Sequence, residues 1–112
     1  MQPESAKLLQ DIIDAADRIA GYVSGKNRDE FLACRELCDA VHWNFAIVGE
    51  ALNQLHKIDP TCAERIYEWR RIVGFRNQLI HGYGVIKNDI TWDIIQTRLQ
   101  KLRAQVQLLL SE

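Results

Sequence analysis

Arg76 and His81, separated by Asn77-Gln78-Leu79-Ile80, are the two side chains whose types and spacing bear most directly on chemistry. A guanidinium is a permanent cation that can hold and neutralise a phosphate, and an imidazole can move a proton near neutral pH. Those two roles suffice for metal-free cleavage of RNA by its own 2′-hydroxyl. Other candidates are weaker. Cys34 and Cys38, four apart, would share a helix face and supply half a metal site, but no second pair of ligands stands elsewhere, and both fall in an apolar stripe that predicts a core role. His42 and His56 lie beside that stripe and read as satisfied or half-exposed helix histidines. No phosphate-binding glycine loop, serine nucleophile elbow or suggestive carboxylate pair occurs.

The segment that carries the pair has helical periodicity from Glu68 to His81 and stops at Gly82, a residue suited to ending helices. Turned at about 100° per residue with Ile72 at zero, Phe75 falls near 300°, Leu79 near 340°, Ile80 near 80° and Arg76 near 40°, inside the apolar arc. A buried guanidinium needs a partner. That partner is a carboxylate of the preceding long helix, Glu50 for instance, or a subunit interface, or an anionic ligand in a groove; placement alone leaves the three open. Asn77 and His81 stand at i and i+4, where an amide to imidazole hydrogen bond can set the histidine tautomer. Read structurally, His81 simply favours a helix C-terminus.

The rest of the chain supplies elements to position them. Periodic apolar residues predict helices over about 4–24, 29–57, 60–66 and 68–81 and from Asn88 or Asp89 to the C-terminus. Asp59-Pro60 gives the third a capped start. Gly82 to Lys87 reads as a loop. The expectation is an all-α bundle of antiparallel helices, a single domain over residues 1–112, with no strands. Mid-helix Gly49 costs about 0.5–1 kcal/mol relative to alanine, which points to close backbone approach between helices and, with the small size of the chain, to a homodimer of twice 12.9 kDa.

Composition sets limits. With 112 residues, 47% hydrophobic and 26% charged, one globular domain fits and disorder does not. No apolar run approaches the roughly 20 residues of a membrane span, the N-terminus lacks secretory character, and three cysteines suit a reducing cytoplasm. The net charge is −1, but residues 1–64 hold 6 Lys/Arg against 11 Asp/Glu while residues 65–112 hold 8 against 4. An anionic ligand prefers the second half. The total is too low for a protein gripping duplex DNA by charge alone.

Arg76-Asn77-Gln78-Leu79-Ile80-His81-Gly82-Tyr83 resembles the Arg-x4-His-x-Tyr signature of the HepT-like toxins in the HEPN (higher eukaryotes and prokaryotes nucleotide-binding) superfamily. Gly49-Glu50-Ala51, Trp69 with Ile72-Val73-Gly74, and Trp92-Asp93-Ile94-Ile95 are similar too, so the likeness runs over about residues 5–110. It implies a HEPN-type four- or five-helix up-down bundle, dimerised so that the Arg and His of two chains line one cleft. It implies a metal-independent endoribonuclease without cofactor, the toxin of a type VII toxin–antitoxin pair silenced by a minimal nucleotidyltransferase on another chain. Carried over, Arg76 holds the scissile phosphate, His81 is the acid/base, Asn77 orients one of them with Glu50 in support, and Tyr83 is the hydroxyl that is adenylylated or contacts substrate. The competing readings are a non-catalytic module that binds a nucleotide or docks a nucleotidyltransferase, and a purely structural helical dimer.

Overall fold

A computed structural model describes residues 1–82, 84 and 86–112 and places seven helices among them, with no strand. α1 (Pro3–Val23) begins with proline in its first turn and buries Leu9, Ile12, Ala16 and Ile19 along one stripe. Gly25, at φ 74°, turns the chain out of it. α2 (Arg28–Ala33) is short and opened by a reciprocal capping box: the Glu30 N–H donates to Asn27 Oδ1 at 2.8 Å and the Asn27 N–H to Glu30 Oε1 at 3.0 Å. α3 (Arg35–Ile58) is the central element, packed on α1, α4 and α5.

The expected single helix over 29–57 is therefore two. The backbone leaves the helical region at Cys34 (φ −112°, ψ 97°), which caps α3 and points its side chain to solvent. Cys34 and Cys38 do not share one continuous helix face, and the core role expected of both belongs to Cys38 alone, whose Sγ donates to the Phe31 carbonyl at 3.3 Å. Neither residue is a proline or glycine, so composition gives no sign of the break; Phe31 stays fully buried across it.

α4 (Pro60–Glu64) starts as expected, with Asp59 Oδ1 accepting from the Cys62 N–H at 3.3 Å and its other oxygen accepting from the buried Ser5 hydroxyl. α5 (Trp69–His81) follows a left-handed Glu68 (φ 61°), whose carboxylate takes Arg71 at 3.0 Å and also Arg98. The expected last helix is again divided, into α6 (Asn88–Thr97) and α7 (Leu99–Ser111), at Arg98. With these two breaks the five helices read from periodicity become seven.

Two apolar clusters form the interior. One joins α1, α3, α4 and α7 around Leu9, Ile12, Leu52, Leu55 and Val106; the other joins α1, α2, α3 and α6 around Ile19, Phe31, Val41 and Ile95. α5 lies across both on the outside of α3. None of its residues is fully buried, although Ile72, Val73, Phe75 and Leu79 lean on the clusters. No helix among the described residues is long and apolar enough to cross a membrane.

Candidate functional site

Arg76 projects from α5 onto α3 and is held there at several points. A Cβ built on Gly49 would stand 2.2 Å from Arg76 Cβ and 2.7 Å from its Cγ, so the arginine stem occupies the space that any larger residue at 49 would claim. The close approach expected at Gly49 is made within the chain, by α5 on α3. At its far end the guanidinium pairs with Glu50 Oε2 through Nη2 at 2.9 Å and donates from Nη1 to Asn77 Oδ1 at 3.1 Å. Glu50 is itself tethered, since Gln54 Nε2 donates to its other oxygen at 3.1 Å. Of the three partners open to Arg76, the acidic one is present.

The arginine is not saturated. Its side chain is only 23% exposed, and Nε is buried with no hydrogen-bond partner. Buried as it is, Nε does not face the groove; the partly exposed guanidinium tip, held by Glu50 and Asn77, is the part that a phosphate oxygen can meet.

His81 is the last residue of α5 and is exposed. No Asn77–His81 hydrogen bond forms; the Asn77 amide oxygen faces Arg76 instead, which corrects the tautomer-setting contact expected from their spacing. Five helical steps lead from Arg76 to His81, about 140° of azimuth and about 7.5 Å of rise, so in one chain they look in different directions. Tyr83 lies outside the described residues.

Two grooves flank α5. The narrower, about 300 Å³, runs between α1, α3 and α5 past Asp11, Trp43, Ile47, Glu50, Arg76 and Ile80. The broader, about 700 Å³, lies between α5 and the α6–α7 arm and is floored by Ile72, Phe75, Ile94 and Leu99. Trp43 and Gln54 are not among the residues that the sequence singles out. The signal was available: Gln54 stands four residues beyond Glu50 on one face, and Trp43 falls off the buried stripe of α3.

The remaining candidates are structural. His42 Nε2 and the fully buried Thr91 hydroxyl meet at 2.9 Å, tying α3 to α6, and burial pushes the imidazole below its ordinary range against the opposing pull of Asp39. His56 stacks on Trp69 with ring centroids 4.1 Å apart and approaches Glu64 at 3.3 Å. No group of three or more His, Cys, Asp or Glu side chains suited to a metal stands among the described residues.

A family model described as "Ribonuclease HepT-like" matches residues 12–109. Among curated relatives, the Methanocaldococcus jannaschii protein named "Putative RNase MJ1380" is 26% identical over 100 residues, covering 89% of this chain and 91% of its own. "Putative RNase TTE0752" of Caldanaerobacter subterraneus is 27% identical over 104 residues, with 93% and 92% covered. A third, "Gamma-glutamylcyclotransferase and putative RNase MJ0434" of Methanocaldococcus jannaschii, is 26% identical over 107 residues, and there the chain spans only 46% of the relative's length. No solved structure matches the chain.

Proposed function

The chain belongs to the Ribonuclease HepT-like family, and from that premise we propose that it is a metal-independent endoribonuclease in which Arg76 holds the scissile phosphate and His81 moves protons. The observation that carries this reading is the preparation of Arg76: its stem is seated on Gly49 and its tip, partly exposed in a groove, is fixed by Glu50 and Asn77. A cation fixed before substrate arrives stabilises developing charge without reorganising.

In the proposed reaction the 2′-oxygen of the RNA attacks the adjacent phosphorus. The bond from phosphorus to the 5′-oxygen breaks, leaving a 2′,3′-cyclic phosphate and a 5′-hydroxyl. The imidazole of His81 accepts the 2′ proton or returns one to the departing 5′-oxygen, while the arginine neutralises the phosphorane oxygens. Asn77 and Glu50 orient the arginine.

A two-chain cleft suits this chemistry. Arg76 and His81 of one helix are turned about 140° apart, whereas Arg76 of one copy can meet His81 of another laid along α5. The lack of any fully buried residue on α5, the helix that carries both groups, supports a second copy laid along it. Light scattering should give about twice 12.9 kDa.

The test is cleavage of RNA in EDTA by the purified protein. DNA, lacking the 2′-hydroxyl, should survive, and Arg76→Ala and His81→Ala should each lower the rate by about 10² or more. Full activity of the His81→Ala protein would overturn the reading. The 2.9 Å ion pair with Glu50 favours one second reading, a non-catalytic module that binds a nucleotide or docks a nucleotidyltransferase; RNA left intact by a protein that still binds it would support that.

The biological setting proposed is a toxin silenced by a minimal nucleotidyltransferase encoded beside it, with Tyr83 as the adenylylated hydroxyl. An AMP unit two residues from His81 would bring a phosphate toward the cleft and block RNA by bulk and by charge. Intact-mass measurement of protein co-expressed with that partner should show one or more AMP units. An unmodified Tyr83 in a fully silenced protein would mean inhibition by complex formation.

A further inference from the structure

Tryptophan is seldom left in water, because its ring buries more apolar area than almost any other side chain. The chain has three. Trp69 stacks on His56 and Trp92 packs against Phe31 with centroids 5.3 Å apart, but Trp43 is 66% exposed and has no aromatic neighbour among the described residues. It sits on the stripe of α3 that continues through Ile47 and Glu50 to Gln54, each step being three or four residues. That stripe forms one wall of the narrow groove, and Arg76 and Ile80 form the other. Trp43 and Glu50 are seven residues apart, about 10 Å along the helix axis.

We infer that Trp43 is a stacking platform for a base of single-stranded RNA, seating the nucleotide beside the phosphate held at Arg76. The inference rests on the reading of Arg76 as the phosphate clamp and adds a substrate-binding residue to it. Aromatic faces take any base and so grip an unpaired strand without choosing its sequence. The acidic residues of the groove do not oppose this strongly, because Asp11 is paired with Lys7 at 3.0 Å and Glu50 with Arg76. The occupant follows from the neighbouring residue: Arg76, read as the phosphate clamp, lines the same groove as Trp43, and the groove's volume of about 300 Å³ matches the small end of ligand sites.

The experiment titrates the protein with a short 2′-O-methyl oligoribonucleotide, which cannot be cut because its nucleophile is blocked, and follows tryptophan emission. Wild-type protein should be quenched on binding, and Trp43→Phe should lose that quench while keeping most of the affinity. Trp43→Ala should bind about fivefold or more weaker, and on cleavable RNA it should raise KM by that factor with kcat little changed. A quench that persists in Trp43→Phe, no quench in the wild type, or unchanged affinity in Trp43→Ala would overturn the inference. Dissociation of the Trp43→Ala dimer would do so as well, by making the indole an interface residue. Failure of the ribonuclease reading is separately visible, since it appears as uncut RNA whatever the emission does.

Discussion

Gly49 and Arg76 interlock across α3 and α5: the absent Cβ of one is the space filled by the Cβ and Cγ of the other, with the Ile72 carbonyl 3.4 Å away. Gly49→Ala therefore meets the rigid base of a side chain, not its flexible end, and α5 must shift. Alanine favours the helix by about 0.5–1 kcal/mol, but overpacking of this kind costs about 1–3 kcal/mol. The variant should be less stable in a urea melt. Cleavage should fall by about 10², because a displacement near 1 Å suffices for that. A more stable and fully active Gly49→Ala protein would show that the approach is looser than described.

Glu50 both steadies Arg76 and competes with any phosphate for it. The pair is partly exposed, so its net worth is no more than about 1 kcal/mol. Glu50→Gln retains the shape and removes the competing charge. RNA should then bind about two- to fivefold tighter, read by filter binding, with a small loss of stability. Weaker binding would assign Glu50 to positioning alone.

Subunit complementation tests the shared cleft. If Arg76 of one chain works with His81 of the other, a mixed dimer of Arg76→Ala and His81→Ala chains carries one intact site. Equal mixing after subunit exchange should restore about a quarter of the wild-type rate. A mixture as inactive as its components would place both groups in one chain.

His42 gives a pH dependence with a definite sign. Its folded-state value is depressed by burial from the ordinary 6.5, so on acidification the unfolded chain takes up the proton first. Stability is full above about 6.5 and declines as pH falls from there toward the lowered folded value. The thermal midpoint should drop between pH 7 and pH 5, and His42→Gln, which can still meet the Thr91 hydroxyl, should show a smaller drop. An equal decline in both proteins would remove His42 as the cause.

Periodicity and end signals carried most of the fold. The stripe of α1 and the Asp59-Pro60 start of α4 rest on local chemistry and appear in the structure; α5 also stops at Gly82, but with φ −118° and not in the left-handed conformation that a terminating glycine makes available. The position of Arg76 in an apolar arc called for an answering partner but left three open, and the structure supplies one of them, Glu50. What local pattern could not reveal were the breaks at Cys34 and Arg98. There, packing of Phe31 and the pull of Glu68 on Arg98 accompany backbone changes that no proline or glycine announces. Gly49 was legible as a close approach, while its partner depended on which helix the fold brings against it. Trp43 escaped notice for the same reason: an indole off the buried stripe gains meaning only when α5 sets Arg76 and Ile80 across from it.

The break at Cys34 also makes the molecule unusually easy to measure. Cys38 and Cys62 are buried, and burial raises both thiols above their ordinary range, which suppresses the reactive thiolate. Cys34 alone faces solvent. One maleimide-linked nitroxide per chain can thus be attached without altering the sequence, at the joint between two helices. In an assembly of two copies, the dipolar coupling between the paired labels would report how far apart those joints lie, and whether binding RNA draws them together.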